Sequence, residues 1–110
     1  MHATGGHGYR SVRVPCDIPA RMFVRGVPAP ARITNLSPRG LAIDCNVNLR
    51  PGAMVSLEVC GQTIDNVTIR WSRNGKAGAR LPLDVKMTTL QRLILAAQAR
   101  PATGTMVRAG

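Results

Sequence analysis

An all-β fold, a small six-stranded antiparallel barrel closed by a C-terminal helix, is predicted by three features of the sequence. Short apolar–polar alternations recur about every ten residues, with turn residues between them. The period then changes after Pro82, where Leu90, Leu93, Ile94 and Ala97 fall at i, i+3, i+4 and i+7. Finally, a chain of 110 residues, 45% hydrophobic, has the size of one domain with one core. Only Tyr9, Phe23 and Trp71 are aromatic, so Val, Leu, Ile, Ala and Met must fill the interior.

Taken in order, residues 1–8 are Gly-rich and polar, with nothing to bury, and are expected to form a flexible leader. Residues 9–19 read as a basic arm in which Pro15 and Pro19 favour extended backbone. The first strand is expected over residues 20–25, ended by Gly26, Pro28 and Pro30; the second covers 31–36, with Ile33 facing away from Arg32 and Thr34. A turn at Ser37-Pro38-Arg39-Gly40 leads into a third strand over 41–44. The cleanest alternation is Met54–Val59, with Val55, Leu57 and Val59 on one face. Residues 63–71 follow, with Val67, Ile69 and Trp71 assigned together to the core side and Thr68 and Arg70 to the other. A polar turn holding Asn74-Gly75 joins them to a last strand over 76–81, in which Gly78 is read as a glycine needed for close packing. A closed barrel is the economical way to remove the edges of six such strands. Thr88-x-x-Gln91 resembles a capping box for the helix, Pro101 stops it, and 101–110 is expected to be a disordered tail beyond a domain over 9–100.

Charge narrows the function. Fifteen basic residues face five acidic ones, a formal +10, and all but Lys76 and Lys86 are arginines. Such an excess favours an anionic partner, and the guanidinium fork suits phosphates and base edges. Three scattered aromatics make a poor stacking platform for single-stranded nucleic acid, so no specific nucleic-acid partner is expected. An enzyme is not expected either: His2 and His7 lie in the leader, and one glutamate and four aspartates form no acid–base or metal cluster at a recognised spacing. Cys16, Cys45 and Cys60 are odd in number and without a Cys-x-x-Cys pair, which fits a reducing cytoplasm and no metal or disulfide framework. No apolar run approaches the roughly 18 residues of a membrane span.

The chemistry-bearing segment is Asn35-Leu36-Ser37-Pro38-Arg39-Gly40. An amide and a hydroxyl stand two apart and a glycine closes the turn, an arrangement that can bind a ligand edge or cap its own backbone. With Arg10 and Arg13 before the first strand, this Asn-x-Ser-x-x-Gly turn resembles the PilZ family. Arg13-Val14-Pro15, Gly40-Leu41-Ala42-Ile43, Ile69-Arg70-Trp71-Ser72 and Gly78-Ala79-Arg80-Leu81 are also similar to PilZ sequences. The resemblance implies a barrel with a C-terminal helix, and cyclic di-GMP bound outside it where an arginine arm folds over the turn. Arg10, Arg13, Asn35, Ser37 and Gly40, with Arg39 as a weaker member, are then the ligand-binding residues, and no other cofactor is implied. The arm reads Arg10-x-x-Arg13, with Tyr9 where the family spacing places its first arginine. Two readings stay open: a receptor that relays the second messenger to an effector protein, and a PilZ-like interaction module that no longer binds the nucleotide.

Overall fold

The computed structural model describes residues 14–100; the leader, Arg10, Arg13 and the tail lie outside the described residues. Six strands, β1 (Val14–Val24), β2 (Val27–Leu36), β3 (Gly40–Cys45), β4 (Met54–Val59), β5 (Gln62–Arg73) and β6 (Lys76–Arg80), precede a helix, α1 (Met87–Ala99). They form a closed antiparallel barrel in the order β1-β2-β3-β6-β5-β4. The expected fold class is therefore the observed one.

Tight hairpins join consecutive strands wherever two residues can take left-handed backbone. Arg25-Gly26, Cys60-Gly61 and Asn74-Gly75 all have positive φ, between 54° and 78°, as a type I′ turn requires. The first of these corrects the expected strand ends. β1 begins at Val14 rather than residue 20, and β2 begins at Val27, running through Pro28 and Pro30. The physical reason is that β1 pairs with β4 only over Arg21, Met22 and Phe23, whereas β2 pairs with β3 only from Ala31 onward. Pro15, Pro19, Pro28 and Pro30 thus lie where the sheet is hydrogen-bonded on one side, the place a strand accepts proline. At Asp17 the open side of β1 is met by the end of α1: Asp17 N donates to the Arg100 carbonyl at 2.9 Å, and Arg100 Nε donates to the Asp17 carbonyl at 3.0 Å.

Inward-facing positions make an aliphatic core. Met22, Ile33, Ile43, Leu57, Val67, Ile69 and Leu93 are its largest fully buried members, and no aromatic ring belongs to it among the described residues. Val55, Leu57 and Val59 all point inward as the alternation predicts.

The helix departs from expectation in two respects. It starts at Met87 with Lys86 as N-cap and no side-chain cap, so Thr88-x-x-Gln91 does not act as a capping box. Its packed face is Leu90, Leu93, Ala96 and Ala97, while Ile94 is 46% exposed. The four-residue apolar pattern fits a helix in two rotations, and contact with the barrel selects the one that buries Leu93 and Ala97.

Leu57 is fully buried in the strand on which the ladder closes. Leu57→Ala is expected to lower stability by about 2–5 kcal/mol in urea denaturation; a loss below about 1 kcal/mol would mean that the barrel interior is loosely packed.

Candidate functional site

The site is produced by two β-bulges. Between β2 and β3 the register passes from Ile33↔Ile43 to Asn35↔Ala42, so β2 spends one extra residue. Thr34 and Asn35 consequently both leave the core face, and Leu36 returns to it opposite Leu41. Between β5 and β6 the register passes from Ile69↔Ala79 to Trp71↔Gly78, and the extra residue is Arg70. Strict alternation would send Trp71 inward with Val67 and Ile69. The bulge instead turns it out, and its side chain is 44% exposed. The expected placement of Trp71 in the core is corrected accordingly.

Ladder partners then line up across the outer surface as Pro15, Asn35, Ala42, Gly78 and Trp71, one residue from each of five strands. The indole extends from β5 over β6 and rests on Gly78: a methyl group placed there would lie 2.7 Å from Cε2 and 2.8 Å from Cδ1, and closer still to Nε1. Only Ala42 separates the ring from Asn35, a gap of two strand spacings, or roughly 10 Å. Around this floor Asn35, Ser37, Gly40, Leu41, Ala42, Arg70, Trp71, Gly78 and Ala79 line an open depression of about 190 Å³. That is below the roughly 300–1,000 Å³ that encloses a drug-sized molecule, so it seats one ring system and leaves the remainder of a larger ligand on the surface.

The turn is held by its own backbone. Ser37 N donates to the Gly40 carbonyl at 3.0 Å, Gly40 N to the Ser37 carbonyl at 3.4 Å, and Ser37 Oγ to the Gly40 carbonyl at 3.2 Å. Gly40 lies so close to β6 that a Cβ would approach the Ala79 carbonyl oxygen to 2.7 Å. Asn35 Oδ1 is buried and has no hydrogen-bond partner among the described residues. An unpaired buried acceptor costs stability unless a water or a ligand supplies the donor, and Gln62 Oε1, away from the depression, is in the same position.

Charge around the depression is positive. Four of the five acids are engaged elsewhere: Asp17 with Arg32 at 2.6 Å, Asp44 with Lys76 at 3.4 Å, Glu58 with Arg21 at 3.7 Å, and Asp65 accepts from Ser56 Oγ at 2.8 Å. Arg39, Arg70, Arg73 and Arg80 have no ion-pair partner among the described residues. Asp17 raises the Arg32 guanidinium pKa, through its hydrogen bond first and its charge second, so Arg32 is a committed pair member. Burial, assisted by the Asp17 charge, pushes the Cys16 thiol up, which keeps it protonated and unreactive.

Of the residues singled out in the sequence, Asn35, Ser37 and Gly40 come together at the depression, whereas Arg39 is exposed at the turn tip and outside its lining. Its carbonyl accepts from Leu81 N at 2.9 Å, fastening the turn to β6. Arg10 and Arg13 lie outside the described residues. Arg70, Trp71 and Gly78 are site members that the alternation concealed. The available signal was compositional: a lone tryptophan beside an arginine, facing a glycine in the next strand across an Asn-Gly turn.

The architecture is thus a closed barrel with an open depression on its outer face, lined on one side by the Asn-x-Ser-x-x-Gly turn and on the other by Arg70 and Trp71. The sequence profile of the PilZ domain matches residues 9–96, and the chain belongs to that family, a family of cyclic di-GMP receptor domains rather than enzymes. No curated protein matches the chain. Among the described residues, no helix is long and apolar enough to cross a membrane.

Removing the amide of Asn35 and adding a methyl at Gly40 are expected to act in opposite directions on the ligand-free protein. Asn35→Ala should leave the thermal midpoint unchanged or raise it, because an unpaired acceptor disappears. Gly40→Ala should cost roughly 1–3 kcal/mol through the clash with Ala79. A marked loss in Asn35→Ala would show that its amide serves the fold.

Proposed function

We propose that this chain is a cytoplasmic cyclic di-GMP receptor that relays the nucleotide level to a partner protein. The observation that carries the reading is the depression itself, in which the Asn-x-Ser-x-x-Gly turn faces an exposed indole and an unpaired arginine. A guanine edge presents N–H donors, and Asn35 Oδ1 is an acceptor without one. A purine ring over Ala42 has Trp71 at its side for stacking, an interaction worth about 1–3 kcal/mol per base. Arg70 is placed to meet phosphate, where a charged hydrogen bond adds about 1.5–3 kcal/mol.

Val14 pairs with Leu36 and Pro15 with Asn35, so β1 begins beside the turn. Arg10 and Arg13, which precede β1 in the sequence, are assigned to the phosphates or to guanine O6 and N7. Free Cys16, Cys45 and Cys60 support a reducing compartment. Ordering of the arm on binding would change the surface offered to a partner.

A second reading, a PilZ-like interaction module without nucleotide binding, is favoured by the outer side of α1 and the segment before it. There Leu83, Met87, Ile94 and Leu95 are exposed.

Calorimetric titration at near-physiological salt separates the two. Cyclic di-GMP is expected to bind at micromolar or tighter affinity, with GTP and GMP silent. Arg13→Ala and Ser37→Ala should each weaken it about ten- to a hundred-fold, and Trp71→Ala about five- to a hundred-fold. Absence of heat with the wild-type protein would leave the interaction module as the reading.

A further inference from the structure

We propose that Gly78 is a positioning residue of this site, present because only a residue without a side chain lets the Trp71 indole lie across β6 as the wall of the ligand depression. The inference deepens the nucleotide-binding reading and rests on it for the identity of the ligand.

The backbone alone gives no reason for glycine at this position. Gly78 is absent from the positive-φ residues, and it is paired on both sides, with Ala42 of β3 and Trp71 of β5. Alanine would fit that conformation and would stabilise the strand, since an interior glycine costs roughly 0.5–1 kcal/mol relative to alanine. What excludes alanine is the ring: the three atoms nearest to a Cβ at residue 78 would all belong to the Trp71 indole, at separations no real Cβ shows. Gly78 is buried although it faces outward, because the indole covers it.

Strand β6 is pinned by ladders on two sides and cannot retreat from an added methyl group. The indole can, because it is 44% exposed and has solvent to move into. A side chain at residue 78 would therefore push the ring off the sheet and leave the barrel standing. The ring would then no longer stand two strand spacings from Asn35, and a base held by Asn35 would lose its stacking partner.

Trp71 is the only tryptophan, so intrinsic fluorescence reports on this seat without a label. Tryptophan emission and acrylamide quenching are to be compared in wild type and Gly78→Ala, and urea denaturation followed by circular dichroism and cyclic di-GMP titration by calorimetry in these two, Trp71→Ala and the double variant. Gly78→Ala should shift emission to the red and raise quenching with the denaturation midpoint kept, and should weaken binding about tenfold or more. In the Trp71→Ala background the same change should alter affinity less than twofold, because the ring it displaces is gone. Should Gly78→Ala fail to fold, adding Trp71→Ala must restore folding.

Wild-type emission, quenching and affinity in Gly78→Ala would overturn the proposal. So would equal losses of affinity with and without Trp71, or a double variant that stays unfolded. A wild-type chain that ignores cyclic di-GMP would overturn the ligand and the binding role of Gly78 together. The emission shift would still judge the seat itself.

Discussion

The ladder closes where Arg21, Met22 and Phe23 of β1 meet Glu58, Leu57 and Ser56 of β4, and the rest of the structure depends on this short seam. Closure gives every strand an inside and an outside. It thereby converts a period of two in the sequence into a separation between core and surface. Because the interior holds only aliphatic side chains, cysteine and methionine, all places for large polar or aromatic groups lie outside or at the rims. The seam is short because β1 before Arg21 has no β4 partner, just as β2 before Ala31 has no β3 partner, so each strand is paired on one side over part of its length. That is why four prolines are tolerated within strands. The end of α1 covers the same edge at Asp17, so helix and barrel closure support one another.

The candidate site lies where strict alternation fails. Each bulge places two consecutive side chains outside, Thr34 with Asn35 and Arg70 with Trp71, while Ile33, Leu36 and Ile69 beside them keep their inward positions. A bulge thus adds an outward side chain without removing one from the core. Two bulges on strands separated by β3 and β6 bring an amide and an indole to opposite sides of a floor made from Ala42 and Gly78. Small residues in the middle and large ones at the margins make the depression.

Several features of this face work against stability. Asn35 Oδ1 is unpaired among the described residues, Gly78 weakens a strand interior, and Arg70 carries charge without an ion-pair partner among the described residues. Under the proposed function, an anionic, hydrogen-bond-donating ring compound would offset each of these costs.

Much of the barrel was legible in the sequence because burial on one face imposes a period that a linear reading detects: Val55, Leu57 and Val59, the Asn74-Gly75 turn, and the change of period before α1. The Asn-x-Ser-x-x-Gly turn was legible for a related reason, since its conformation is set by local backbone hydrogen bonds within four residues. Strand ends at the prolines, the rotation of α1 and the position of Trp71 were not. Whether a proline ends a strand depends on which neighbour is absent, the buried side of a helix depends on what it packs against, and a bulge is recognised only from the register of the partner strand. The sequence by itself determined the class of fold, its aliphatic core, its charge and one half of the site, because those follow from local chemistry. Tertiary structure alone decided that Arg70, Trp71 and Gly78 join the candidate site, because they reach Asn35 only through the pairing of β6 with β3, Gly78 with Ala42, which joins residues far apart in the chain.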